Sequence, residues 1–129
     1  MAENRDNAGK RRALGVLGED AATRYLEALG WSIWARNWRC PYGEIDIVAQ
    51  DESVVVFVEV RARRDGNGGP DLALASIGPR KQEQLLRLAE YYASSELSPG
   101  VPVRLDVVGV AVAPDGRVRI EHVRDAVDW

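Results

Sequence analysis

Gly43-Glu44-Ile45-Asp46-Ile47-Val48-Ala49 and Val54-Val55-Val56-Phe57-Val58-Glu59-Val60-Arg61 form the stretch whose reading decides the fold. Both runs are rich in the β-branched and aromatic side chains that suit a pleated, half-buried surface, where acids are depleted. Asp46 and Glu59 nevertheless sit inside them. A tight turn at Glu52-Ser53 predicts a hairpin over roughly 44–62, with Asp46 opposite Glu59 and Glu44 opposite Arg61. Successive side chains alternate along a strand, so Glu44 and Asp46 share a face with Val55, Phe57, Glu59 and Arg61. Like charges facing each other destabilise a strand pair unless something neutralises them, and a divalent cation would do so. The competing reading has these carboxylates on a solvent face, with Glu44 and Arg61 as a weak surface ion pair.

Working outward, residues from about Ala13 to Leu29 read as a helix, with Leu14, Leu17, Ala21, Tyr25 and Leu29 near helical spacing and Gly30 as its stop. Trp31 to Arg36 alternates as a strand, and Asn37 to Gly43 reads as a loop. Arg63 to Pro70, with Gly66-Asn67-Gly68-Gly69, has the composition of a mobile loop. Gly78-Pro79 opens a second helix that runs to about Ser95 and buries Leu85, Leu88, Ala89 and Tyr92. After the Ser98-Pro99-Gly100 break, Val103 to Ala113 and Arg117 to His122 read as strands joined by the turn Pro114-Asp115-Gly116. The order α-β-β-β-α-β-β predicts an α/β fold with one mixed sheet and helices packed on it. Residues 1–12 are expected to be a flexible N-terminal tail, and residues 13–129 a single domain.

A chain of 129 residues can bury a sizeable core, and its apolar fraction of 46% is that of an ordinary globular protein. No apolar run approaches the roughly 18 to 20 residues that cross a bilayer, so no membrane association is expected. The polar N-terminus lacks the apolar stretch of a secretory signal. Cys40 is the only cysteine, which excludes an intrachain disulfide and fits a reducing, cytoplasmic setting. A net charge of −3 argues against a simple nucleic-acid-coating protein. The distribution is more telling: residues 1–87 carry 13 basic and 13 acidic residues, and residues 88–129 carry 4 and 7. Cations held by the early acids would leave the surface around them effectively positive.

The paired carboxylates suggest a chemistry. Mg²⁺ takes an octahedral shell of oxygens, supplied by one or two carboxylates, waters and substrate phosphate. Such a site suits phosphodiester hydrolysis, since the metal makes a water nucleophile available and offsets charge on the scissile phosphate. Arg61, two residues after Glu59, would project beside the same ion and could clamp the phosphate.

Asp46 followed by Glu59-Val60-Arg61 in a hydrophobic strand resembles the Asp…Glu-x-Lys signature of restriction-endonuclease-like nucleases. The resemblance extends to the YraN-like family of small bacterial proteins. It is carried by Gly18-Glu19, Ala22, Tyr25-Leu26, Asn37, Gly43-Glu44-Ile45-Asp46, Phe57-Val58-Glu59-Val60, Pro79-Arg80-Lys81-Gln82, Arg104-Leu105-Asp106-Val107 and His122-Val123-Arg124-Asp125-Ala126. It implies a restriction-endonuclease-like αβββαβ core with an extra C-terminal strand, similar to archaeal Holliday-junction resolvases. It also implies Mg²⁺ or Mn²⁺ held by Asp46 and Glu59, with Glu19 at the position of a first-helix glutamate that often completes the site. DNA is the implied substrate, in branched or single-stranded form. A homodimer is plausible because junction-cutting relatives need two sites. Relatives carry Lys where this chain has Arg61; Arg stays protonated and cannot act as a base. Lys81 could share that task at the start of the second helix, or could simply contact phosphate or solvent.

Arg36, Arg39, Arg63, Arg64, Arg80, Lys81 and Gln82 are candidates for tracking a nucleic-acid backbone, with Trp34 or Trp38 stacking on a splayed base. Taken singly, most read equally as solvated surface charge and the tryptophans as packing. Asp106 reads either as a buried strand acid or as an exposed partner of Arg104, and His122 as structural. Two other function classes stand beside the nuclease: a nucleic-acid-binding module on the same fold without efficient catalysis, and a protein-interaction adaptor.

Overall fold

A computed structural model describes residues 2–65 and 77–127, with side chains from residue 7 onward. The order is α1 (Ala2–Ala28), β1 (Ser32–Cys40), β2 (Gly43–Asp51), β3 (Val54–Arg64), α2 (Pro79–Glu96), β4 (Val103–Val112) and β5 (Val118–Val123). The five strands lie side by side in chain order, antiparallel except for the parallel pair β3–β4. A parallel pair cannot be joined by a tight turn, and α2 lies in the connection between β3 and β4.

The central strands are covered on both faces, which explains their near-continuous apolar runs. On one face Val55, Phe57, Leu105 and Val107 pack with Leu85, Leu88, Ala89 and Tyr92 of α2. On the other Val56, Val58, Val108 and Val110 pack with Ala21, Ala22 and Leu26 of α1. β3 thus sends odd-numbered side chains to α2 and even-numbered ones to α1, the period of two expected of a strand.

Three elements differ from the sequence reading. α1 begins at Ala2, so residues 2–12, expected as a tail, continue the helix. Their Ala, Glu, Lys and Arg content extends a helix already nucleated downstream at little cost. The buried stripe of α1 is also rotated, leaving Leu17 and Leu29 exposed while Ala21, Ala22 and Leu26 are covered. Close approach decides this: a Cβ at Gly18 would collide with the Cβ of Ala62, so small residues must face β3. β1 continues through residues 37–40, expected as loop, because Trp38 and Cys40 pack against the α2 layer. β3 likewise runs to Arg64, held by its parallel pairing with β4 as far as Val112. The Gly66–Gly69 segment expected as a mobile loop lies outside the described residues.

On the α1 face of β4, a second polar cluster ties the C-terminal strands to α1. Asp106 is fully buried and accepts hydrogen bonds from Arg104 Nε at 2.9 Å and the Asp125 amide at 3.0 Å, with His122 Nε2 at 2.7 Å. The Tyr25 hydroxyl lies 3.1 Å from His122 Nδ1. Burial pushes the Asp106 carboxyl up, but His122, Arg104 and the Asp125 amide outweigh it and hold the group below the usual carboxylate range. Asp106 is therefore both buried and the partner of Arg104.

Candidate active site

The β2–β3 ladder has the expected register, from Asp51↔Val54 to Ile47↔Val58, and then stops. One residue further, the backbone N–H of Val60 donates to Asp46 Oδ2 at 2.8 Å instead of to a carbonyl of β2. The alternation along β2 also breaks at this point. Ile45 packs in the α2 layer and Ile47 in the α1 layer, although residues two apart normally share a face. Opposite Asp46, between the pairs Arg36↔Ile47 and Trp38↔Ile45, Asn37 of β1 adopts the left-handed region at φ 52°. Asn tolerates that region better than most residues. The local twist directs the Asp46 carboxylate along the sheet into the gap where β2 and β3 separate.

From that gap Asp46 meets acids on both faces. Glu59, on the α2 side, is only 6% exposed. Its Oε2 lies 3.3 Å from Arg61 Nη2 and 3.4 Å from Lys81 Nζ, Lys81 being delivered by the first turn of α2. Burial and the adjoining Asp46 carboxylate push the Glu59 carboxyl up to about 7, while Lys81 and Arg61 pull the other way. Glu19 approaches from α1. Burial, and then Asp46, raise its pKa; Arg36 and a hydrogen bond with Asn37 oppose them. Glu19 Oε1 is buried without a hydrogen-bond partner. The result is one acidic cleft where the inner strands β2 and β3 separate, with Asp46 at its centre.

A divalent metal is implied by the resemblance, and the residues fit one. The donors are all carboxylate oxygens, the set that Mg²⁺ or Mn²⁺ takes. Glu59 and Glu19 have pKa values raised by burial and by Asp46, and one oxygen of Glu19 has no hydrogen-bond partner. Among the described residues no three such side chains already converge as a metal cluster. If an ion is held here, Asp46 and Glu59 would be its donors, the rest of the shell being left to waters and phosphate as is usual for Mg²⁺.

The cleft brings together Glu19, Asp46, Glu59, Arg61 and Lys81. Glu44 is a correction: it does not face Arg61 but pairs across the β1–β2 turn with Arg39, at 3.2 Å. The expected sharing of one face by Asp46 and Glu59 is also revised, because the break at Asp46 turns its side chain into the gap. Arg36 is engaged by Asp20 at 2.9 Å. Gln82 spends its side-chain amide on the Ile77 carbonyl at 3.1 Å and its backbone N–H on Gly78, so it braces the start of α2. Arg63 is half-buried on β3, and Arg64 and Arg80 are exposed. Trp38 packs against Tyr91 and Tyr92, and Trp34 bonds Gln50 near the far end of the hairpin, so neither lies at the cleft. Arg11, Leu14 and Gly15, the first of them assigned to a tail, line a groove beside the acids. The sequence signal for Asn37 was its residue type; for the groove there was none.

These features define an α/β protein of nuclease-like architecture: a five-stranded mixed sheet between helices, with an acidic cleft at the edge of its central hairpin. The chain belongs to the uncharacterised protein family UPF0102, the YraN-like proteins, whose sequence model matches residues 18–110. It is 43% identical over 115 residues to a UPF0102 protein of Syntrophus aciditrophicus (strain SB), covering 88% of this chain and 87% of the relative. A UPF0102 protein of Pelotomaculum thermopropionicum is 45% identical over 120 residues, covering 92% and 98%. One of Streptomyces griseus is 45% identical over 115 residues, covering 88% and 95%. Among the described residues no helix is long and apolar enough to cross a membrane.

Proposed function

We propose that this protein is a metal-dependent nuclease that hydrolyses DNA phosphodiester bonds at the Asp46–Glu59 cleft, on branched or single-stranded substrates. One observation carries the reading: Glu59 is buried against a second carboxylate, with its pKa near 7, and two cations converge on the same oxygen. Burying like charges side by side is costly and serves no packing purpose, so such sites cluster where chemistry is done.

Asp46 and Glu59 would hold a divalent ion, which when bound would make a water nucleophile available near neutral pH and offset charge on the phosphate. Asp46 is fixed for this by the Val60 amide, which leaves its carboxylate little freedom to swing away. Arg61 and Lys81 keep Glu59 oriented and can transfer hydrogen bonds to phosphate oxygens when substrate arrives. Arg61 cannot exchange its proton, so of the two cations only Lys81 can move one toward or away from water or a leaving oxygen. Glu19, with an oxygen free in the cleft, can orient a water from the α1 side.

The test is cleavage of duplex, single-stranded, flap and four-way-junction DNA with Mn²⁺ or Mg²⁺, run beside Asp46→Ala and Glu59→Ala. Metal-dependent cleavage lost in both folded variants supports the reading; cleavage that survives both, or none from the wild type, removes it. Arg61 in place of lysine favours a second reading, a nucleic-acid-binding module without efficient catalysis. Salt-sensitive DNA affinity with no cleavage of any substrate would select it.

A further inference from the structure

A groove of about 280 Å³ opens between α1 and the end of β3, continuous with the acidic cleft. Glu19 and Asp46 close its inner end. The remainder is built from Arg11, Leu14 and Gly15 of α1 and Val60, Arg61 and Ala62 of β3, of which the proposed hydrolysis uses only Arg61 and the Val60 amide. Leu14, Val60 and Ala62 give it an apolar floor, and the two arginines make its outer wall cationic. Arg61 lines this groove, and its Nε is buried with no hydrogen-bond partner. An apolar floor, a cationic wall and an unsatisfied donor suit a flat ring bearing polar edges and an attached phosphate. The space is on the scale of one nucleotide and far too small for a stacked base pair. A base can fill it only if it is already unpaired or is turned out of the helix, and turning it out costs free energy.

From this geometry we propose that the groove receives one unpaired nucleotide of the substrate strand, beside the scissile phosphate, so that α1 selects DNA containing an unpaired nucleotide. The inference rests on the nuclease reading and deepens it. Arg11 meets the neighbouring phosphate, and Leu14 and Val60 cover the base. Arg61 has two tasks, holding Glu59 through Nη2 and lending its charge to the groove wall beside the nucleotide.

Gly15 gives a clean test. A Cβ at Gly15 meets no atom within 4 Å, so larger side chains can be placed there without a clash at the root. Replacing a helical glycine also favours the helix, so Gly15→Leu should fold and partly fill the groove. Thermal unfolding, and Gly15→Ala as a variant that adds only one methyl, check that folding is retained. Binding is read without metal, in EDTA, by the fluorescence of 2-aminopurine placed at a single unpaired position or in a fully paired duplex of the same sequence. The expected result is a wild-type preference of about tenfold or more for the unpaired probe, with a change in its fluorescence on binding. Gly15→Leu should reduce that preference to near unity, and Gly15→Ala should keep most of it. Equal binding of the two probes, no binding of either, or an unaltered preference in Gly15→Leu overturns the inference. The two readings fail separately. Cleavage that is equal on paired and unpaired DNA and unchanged in Gly15→Leu removes the groove but leaves the nuclease; preference without cleavage under Mn²⁺ does the reverse.

Discussion

Burial beside Asp46 raises the Glu59 pKa from an ordinary 4.5 to about 7, so between those values the folded chain holds a proton that the unfolded chain has released. Stability then falls as pH rises through that window, because the folded state binds more protons there. Glu59→Gln removes the titration while keeping the shape of the side chain. Relative to wild type it should be near neutral at about pH 4 and more stable by about 1 kcal/mol or more at about pH 8, measured by urea unfolding. A variant less stable than wild type at the higher pH would make Glu59 a structural residue and count against the site. Arg61 poses the complementary question. If its fixed charge limits water activation, Arg61→Lys should raise kcat by about tenfold or more, with little change in KM, and make Lys81→Ala less damaging. No change in kcat, together with a Lys81→Ala effect confined to KM, would leave both cations as phosphate contacts only.

At the level of elements, the approach of α1 to β3 sets the width of the cleft. Gly18 permits that approach, since a Cβ there collides with Ala62. Alanine is favoured over glycine in helices by about 1 kcal/mol, yet Gly18→Ala should destabilise by about 1–3 kcal/mol through overpacking, and Gly18→Ala with Ala62→Gly should recover most of the loss in thermal unfolding. A stabilised single variant would mean that α1 sits further from the sheet. This contact also explains which elements could be read in advance. The β2–β3 register was legible because an alternating pattern and a two-residue turn admit one pairing, and Ile47↔Val58 through Asp51↔Val54 follow it. The buried face of α2 was legible because its apolar positions are large and periodic. α1 was misread because its contact face is made of Gly18, Ala21 and Ala22, which carry little hydrophobic signal, while the larger Leu17 and Leu29 remain outside. The candidate acids could be named from the sequence, but their meeting point could not. It depends on the break at Asn37 and Asp46, where a local backbone conformation overrides the period of two.

Across the whole molecule, cations divide between those engaged by acids elsewhere and those at the cleft, of which Arg61 and Lys81 pair with Glu59. Arg36, Arg104, Arg117 and Arg119 make ion pairs with Asp20, Asp106, Asp115 and Asp65, and so contribute little outward field. Arg11, Arg61 and Lys81 lie at the cleft and its groove, with Arg80 beside Lys81 on the first turn of α2 and Arg64 at the end of β3. At a net charge of −3 the molecule would be repulsive to DNA overall, and the cations around the cleft would supply local attraction. Binding should therefore be led by a few phosphate contacts, which position a nucleic acid without reading its sequence. With about three to five phosphates neutralised, the slope of log affinity against log salt should be about −2 to −4, and each of Arg11→Gln and Arg80→Gln should reduce it by roughly one. Fluorescence anisotropy on several unrelated sequences across a salt series measures both quantities. A slope near zero, or one sequence bound far more tightly than the others at high salt, would show that recognition does not run through these cations.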